Sequence, residues 1–166
     1  MKLQTPLLVG LIVLFGAVSS NQDGQPQMEG RLAALEDAAS AEWAVNLSVA
    51  PETVAVGDLD MAVSVRSARS GYLTLLQRGT DGKENIVFPN SLDGNNRIEA
   101  EQPLKLPREH WKLRATPPAG EGRLLALVTE HPVEPQTLQS GPGDARAKEL
   151  GGQAYGAAAV VYRERE

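Results

Sequence analysis

The sequence predicts a mainly β fold, an antiparallel β-sandwich or barrel-like domain, and three observations support this prediction. Apolar and polar residues alternate with a period of two in several short runs, which is typical of strands with one buried face. Clusters of glycine, proline, asparagine and aspartate separate these runs, as expected of turns. The run at residues 124–128 is apolar at every position, which fits a central strand covered on both faces.

Residues 1–20 are predicted to be a signal peptide. Lys2 precedes an apolar stretch at residues 7–18. The small residues Ser19 and Ser20 follow it, as is typical of a signal-peptide cleavage site. As a helix this stretch would span roughly 18 Å, which is short of the ~30 Å hydrocarbon core of a bilayer. We therefore expect a periplasmic or secreted protein. The alternative is an uncleaved segment that anchors the chain in the inner membrane with the domain facing the periplasm.

Residues 21–42 are predicted to form a linker followed by a short amphipathic helix. Met28, Leu32, Leu35 and Ala39 fall on one face at helical spacing. Two interpretations stay open at this point. The helix packs on the domain that follows it, or it docks onto a partner.

Residues 43–163 are predicted to form a single β domain, which opens with alternating strands at 43–49 and 61–66. Asp81-Gly82 separates the next two apolar runs, 72–76 and 86–88. An Asp-Gly pair between apolar runs is a strong hairpin signal, because glycine adopts positive φ at little cost. We therefore expect these two runs to pair as an antiparallel hairpin.

The second half of the domain begins with a polar loop at residues 91–97, which is rich in turn-forming residues. A short strand, a half-exposed strand, the central strand and a terminal strand that closes the sheet are expected at residues 104–106, 111–115, 124–128 and 157–162. Residues 131–153 are expected to be mostly loop, with one or two helical turns at 144–150.

The composition excludes several classes of protein. The chain has 166 residues, a formal net charge of -5 and no cysteine, so no disulfide, thiolate nucleophile or Cys-ligated metal site can form. An acidic chain without a basic tract is a poor candidate for binding nucleic acid. Aromatic residues make up only 4% of the sequence, which argues against stacking platforms for bases or sugars.

The sequence contains no recognisable catalytic constellation. Neither a Gly-x-Ser-x-Gly elbow nor a Ser-x-x-Lys motif is present. His110 and His131 are both expected in loops, and the segment starting at Asp93 lacks the spacing and terminal glutamate of an EF-hand. We therefore predict no catalytic, cofactor-binding or metal-binding residues, no cofactor and no enzymatic activity.

Several short motifs then follow one another in a recognisable order. They are Gly71-Tyr72-Leu73, Asp81-Gly82, Phe88-Pro89-Asn90, Asn96-Arg97-Ile98, Leu106-Pro107, Pro118-Ala119-Gly120 and the run at 124–129. This ordered set resembles the bacterial domain of unknown function 4384 over about residues 59–130, with 43–162 as its wider extent. The resemblance implies an exported or envelope protein. It also implies a likeness to appendages of bacterial serine/threonine kinases and to products of genes near secretion systems, type VI among them. It implies no catalytic residues.

The leading hypothesis is a non-enzymatic envelope protein that acts as a protein–protein interaction module, accessory to a secretion system such as type VI. Its partner is expected to be a protein in the cell envelope. Loops on a rigid β-scaffold commonly carry recognition, and Tyr, Trp and Arg dominate interface energetics. The candidate partner-binding surface is therefore Tyr72, Phe88, Asn90, Arg97 and Trp111.

Two other functions stay open. A sandwich that binds a small molecule or glycan would need a concave pocket with convergent polar groups. A metal-assisted hydrolase would use His110, His131 and nearby carboxylates, brought together by the fold. Contact with a membrane is expected only through an uncleaved signal segment.

Overall fold

The structure is a computed structural model that describes residues 32–134, 138 and 150–166. The predicted signal peptide, the linker with Met28, and most of the segment predicted to turn at 144–150 lie outside these residues. Residues 32–37 form a helix, α1. Within the described residues the strands are β1 Val45–Ala50, β2 Thr53–Ala55, β3 Ala62–Ser67, β4 Gly71–Arg78, β5 Glu84–Phe88, β6 Arg97–Ile98, β7 Leu104–Leu106, β8 Gly120–Thr129 and β9 Tyr155–Arg165.

The strands form two sheets. One has three strands in the order β1-β3-β7, and the other has the order β2-β9-β8-β4-β5, with β6 beside β5 on the same edge of β4. Every described pairing is antiparallel except that of β2 with β9, which is parallel. The mainly β prediction is confirmed, whereas the purely antiparallel expectation is wrong and the sheets do not close into a barrel.

The parallel pair arises because the chain changes sheets between β1 and β2. Because Pro51 has no backbone N–H to donate, the pairing with β3 ends at Ala50. The Arg163 N–H donates to the Glu52 carbonyl at 2.8 Å, and β2 then runs beside β9.

The main core lies between the two sheets. Val63 and Val65 of β3 face Leu73 and Leu75 of β4, and all four are buried. The remaining large members of this cluster include Trp43, Phe88, Ile98, Leu106, Trp111 and Tyr162. Burying this apolar area supplies most of the driving force for folding.

A second apolar cluster covers the opposite face of the larger sheet. Leu76, Leu125 and Leu127 pack there against α1, Leu138 and Leu150. The prediction that residues 124–128 form a central strand covered on both faces is therefore confirmed. The helix packs on the domain, with Leu32 and Leu35 fully buried, so the face proposed for docking a partner is already occupied.

The hairpin prediction is confirmed. β4 and β5 pair antiparallel around Asp81-Gly82, and Gly82 has φ of 78°. The Asp81 carboxylate accepts a hydrogen bond from the Lys83 N–H at 3.0 Å, which lowers the pKa of Asp81. This short turn fixes the register of the two strands.

The prediction of a strand at residues 111–115 is wrong. Side-chain burial alternates there as predicted, with Trp111 and Ala115 buried and Lys112 and Arg114 exposed. The segment nevertheless joins neither sheet. Among the described residues, its backbone hydrogen bonds to another segment are two: the Gly57 N–H donates to the Ala115 carbonyl, and the Ala115 N–H donates to the Asp58 carbonyl. Alternation therefore reports that one side of an extended segment packs on the core, which does not require a partner strand.

Three further elements differ from the sequence predictions. β2 was not predicted, and β6 begins at Arg97, the last residue of the stretch predicted as a polar loop. β9 is longer than the predicted terminal strand and lies inside its sheet, between β8 and β2. Among the described residues, no helix has the length and apolar character needed to cross a membrane.

Candidate functional site

The candidate site is built around the loop that joins β5 to β6. This segment, residues 89–96, is called the β5–β6 loop from here on. β5 and β6 both lie along the same edge of β4, so the loop projects from that edge. Asn96 anchors its end, because its Nδ2 donates to the Leu73 carbonyl at 3.1 Å and its own carbonyl accepts the Leu73 N–H at 2.7 Å.

The floor of the site is a stack of two aromatic rings. Phe88 ends β5 and is fully buried, and the Trp111 indole lies parallel to it with centroids 6.4 Å apart. The Arg108 guanidinium lies 5.5 Å from the Phe88 ring centroid, within the range of a cation–π contact. Both aromatic residues are therefore core residues. Neither Phe88 nor Trp111 presents the surface expected of an interface anchor.

Asp93 is the buried charge at the centre of the site, since its side chain is only 4% exposed. Its Oδ2 accepts a hydrogen bond from the Trp111 indole N–H at 3.1 Å, and its Oδ1 pairs with the Arg108 guanidinium. A buried carboxylate is costly unless donors compensate it, and here a charged and a neutral donor do so.

Asn90 shapes the loop from within. Its Oδ1 accepts hydrogen bonds from the backbone N–H groups of Leu92 and Asp93, each at 2.9 Å. Its Nδ2 donates to the Val87 carbonyl at 3.0 Å. These contacts make an Asx-type turn, so the Asn90 amide holds the loop and faces inward.

Two side chains from the segment after β7 fasten the loop backbone from outside. Arg108 donates to the Asn95 carbonyl at 3.0 Å. The His110 Nε2 lies 2.9 Å from the Leu92 carbonyl oxygen and 4.0 Å from the Asp93 carboxylate. The apex of the loop is Leu92, whose surface is 65% exposed.

Tyr72 and Arg97 form a separate, more exposed pair at the β4–β6 junction. They are register partners on adjacent strands. Glu99 forms an ion pair with Arg97 at 2.9 Å, which raises the pKa of Arg97 and lowers that of Glu99. Of the five predicted site residues, Arg97 is exposed and already ion-paired, Tyr72 and Asn90 are half-buried, and Phe88 and Trp111 are buried.

Among the described residues, the structure shows no cluster of metal-ligating side chains for a metal-assisted hydrolase. Across residues 32–134, 138 and 150–166, no three His, Asp or Glu side chains are placed to hold a metal ion. His110 contacts the β5–β6 loop. The backbone N–H of His131 donates to the Gln153 side chain at 2.8 Å.

The ligand-binding alternative also finds little support in the described surface. An open depression of about 220 Å³ lies over the three-stranded sheet, lined by Ser48, Ala50, Ala62, Val63, Ser64 and Lys105. Ligand pockets usually enclose about 300–1,000 Å³ and aim several polar groups at one point. This depression is smaller and is lined mainly by small side chains.

The family match covers this site. Residues 53–132 match the model of a domain of unknown function, DUF4384. These 80 residues make up a little under half of the 166-residue chain. The resemblance predicted from the sequence is confirmed, over slightly wider bounds. No curated protein and no solved structure matches the chain.

The DUF4384 match runs from β2 to just beyond β8 and includes Asn90, Asp93, Arg108 and Trp111. β1 and β9 lie outside it, yet both pair with strands inside it. Neither Asp93 nor Arg108 was predicted as a site residue. Leu92 was not predicted either, because a single exposed leucine in a polar loop gives no periodic signal.

Proposed function

We propose that this protein is an interaction module that recognises a protein partner through the β5–β6 loop. The observation that supports this most is the fixed, exposed position of Leu92. Asn90, Arg108 and His110 hold the loop backbone around it, and a buried carboxylate holds Arg108. The buried Asp93–Arg108 pair therefore stabilises a loop whose apex, Leu92, does not pack in the core.

A loop held in this way suits recognition for an energetic reason. Ordering a flexible loop on binding costs free energy, and a loop that is already ordered avoids most of that cost. Leu92 would enter an apolar pocket of the partner, and the polar groups around it would form the rim. Tyr72 and Arg97 extend this surface along the β4–β6 junction.

The cellular setting is part of the proposal. The charged start and apolar stretch of residues 1–20 support export, and the DUF4384 resemblance supports a place in the bacterial envelope, accessory to a secretion system such as type VI. The partner is then a protein of that compartment. A ligand-binding or hydrolytic role has less support, because the depression over the three-stranded sheet is small and no three described His, Asp or Glu side chains are placed to hold a metal ion.

The test is a binding comparison with a matched leucine elsewhere. The full chain, Leu92→Ser and Leu59→Ser are immobilised and exposed to envelope extract of the source cells. Leu59 is 38% exposed and lies outside the loop. We expect a protein retained by the unmodified chain and by L59S to be reduced at least about tenfold on L92S. Equal retention on all three would overturn the proposal.

A further inference from the structure

We propose that the partner of the β5–β6 loop carries carboxylate groups beside its apolar pocket, and that Lys112 and Arg114 receive them. This inference rests on the proposed function and specifies the charge of the partner's surface. Both cations belong to residues 111–115, an extended segment that contacts the loop through Trp111. This stretch is called the basic segment from here on.

The basic segment is held at both ends, which fixes the positions of its two cations. At its first residue, the Trp111 indole N–H donates to the β5–β6 loop at 3.1 Å. At its last residue, the Ala115 N–H donates to a carbonyl between β2 and β3 at 3.0 Å, and Leu113 packs against the main core. Alternate side chains of an extended chain point to opposite sides, so Lys112 and Arg114 point away from the core, and both are exposed.

The two cations lie close enough to Leu92 to share one interface with it. The His110 Nε2, one residue before the basic segment, lies 2.9 Å from the Leu92 carbonyl oxygen. An extended chain advances about 3.3 Å per residue, which places the Cα atoms of Lys112 and Arg114 roughly 7 and 14 Å beyond that of His110. An interface of ordinary size buries about 800 Å² on each partner, equivalent to a patch of roughly 16 Å radius. A partner centred on Leu92 would therefore reach both cations.

The two cations are available because no carboxylate of the described chain pairs with them. Within residues 32–134, 138 and 150–166, no Asp or Glu side chain lies within ion-pair distance of Lys112 or Arg114. Other described arginines do pair with a carboxylate, namely Arg66, Arg97, Arg108, Arg123 and Arg163. A carboxylate of the partner would therefore meet these two cations without first displacing one from this chain.

The distribution of charge favours a protein partner over a polyanion. The whole chain has a formal net charge of -5, whereas residues 108–115 contain three cations and a single carboxylate, Glu109. Nucleic acid would need clustered cations to neutralise its phosphates, and two exposed cations on an acidic chain do not provide them. A protein with a few carboxylates around an apolar pocket complements both the cations and Leu92.

Two double charge reversals that change the net charge equally test this inference. K112E/R114E reverses the basic segment. K105E/R165E reverses two exposed cations of β7 and β9, which likewise form no ion pair with a described residue. The probe is the envelope protein whose retention depends on Leu92, purified and passed over the immobilised full chains at low and high salt. Thermal unfolding of each variant checks that it folds.

Charges at the rim of an interface act mainly on the association rate, whereas loss of an apolar anchor mainly raises the dissociation rate. We expect K112E/R114E to lower the association rate constant at low salt about tenfold, and K105E/R165E to change it by less than about twofold. High salt should reduce the difference between the unmodified chain and K112E/R114E. Equal association rates of the two double variants would overturn this inference and leave the proposed role of Leu92 unaffected. If no protein shows Leu92-dependent retention, the proposed function fails, and this inference fails with it.

Discussion

The indole N–H of Trp111 donates a 3.1 Å hydrogen bond to the carboxylate of Asp93, eighteen positions earlier in the chain. Asp93 belongs to the exposed β5–β6 loop, whereas Trp111 stacks on Phe88 in the core. This hydrogen bond connects the proposed recognition loop to the hydrophobic core. The loop should therefore lose its shape, and the protein some stability, when the bond or its charge is removed.

Asp93→Asn should destabilise the protein by about 1–3 kcal/mol, because the amide has one acceptor oxygen for the two donors Arg108 and Trp111 and removes the negative charge that pairs with Arg108. Arg108 is 29% exposed, which keeps the cost below that of a fully buried pair. Urea denaturation followed by tryptophan fluorescence measures the change. Asp60→Asn, the same change at an exposed aspartate, should stay within about 0.5 kcal/mol.

Trp111→Phe keeps an aromatic ring over Phe88 and removes the N–H donor. The double variant with D93N should show a coupling free energy of about 0.5–3 kcal/mol in a double-mutant cycle. Circular dichroism is the probe for this cycle, because the fluorescence of Trp111 is lost. Additive single effects would show that the two residues do not interact.

Gly122 is required by the packing of Tyr162. A Cβ at position 122 would come within 2.2 Å of the Tyr162 ring, which is buried and accepts a 2.6 Å hydrogen bond from Gln77 through its hydroxyl. Gly122→Ala should therefore cost about 1–3 kcal/mol through overpacking. Gly94→Ala, where nothing lies within 4 Å of the added carbon, should be close to neutral in the same chemical denaturation assay.

Glu164 should make stability depend on pH. Its residue surface is 3% exposed, and this burial raises the pKa of its carboxyl above the ordinary value of 4.5. The folded state therefore binds the proton more tightly than the unfolded state. The resulting contribution of Glu164 to the free energy of unfolding is complete below pH 4.5, and it is lost as the pH rises through the raised pKa of Glu164.

Glu164→Gln removes this titration and keeps an acceptor for the Thr116 N–H, which now lies 3.1 Å from Oε2. We expect the stability of E164Q relative to the unmodified chain to increase between pH 4 and pH 7. Urea midpoints at the two pH values measure it, with Glu166→Gln, the same change at an exposed glutamate, as the control. An unchanged difference between pH 4 and pH 7 would show that Glu164 does not titrate differently on folding.

Much of the fold could be predicted because local patterns determine it. Alternation at 61–66, the Asp-Gly turn and the doubly apolar run at 124–128 each describe a property of neighbouring residues. The parallel pairing of β2 with β9 could not be predicted, since it joins residues over a hundred positions apart and depends on where the chain changes sheets. The strand predicted at 111–115 shows that burial of alternate side chains does not specify hydrogen-bonded pairing.

The site was predictable only in outline. The region that contains Phe88, Asn90 and Arg97 was predicted as a candidate surface because loops on a rigid β-scaffold commonly carry recognition. The roles within it were not, because sequence does not show that Asp93 meets Arg108 and Trp111. Phe88 and Trp111, both predicted as members of the binding surface, support the loop from the core, while Leu92 takes the exposed position.

The most direct test of the recognition loop is site-specific photocrosslinking in the source cells. A photoreactive amino acid replaces Leu92 in one full-length chain and Leu59 in another, and adducts are compared after irradiation. The account predicts a discrete adduct with one envelope protein from position 92 and none of that adduct from position 59. The same adducts from both positions, or no adduct from position 92, would contradict it.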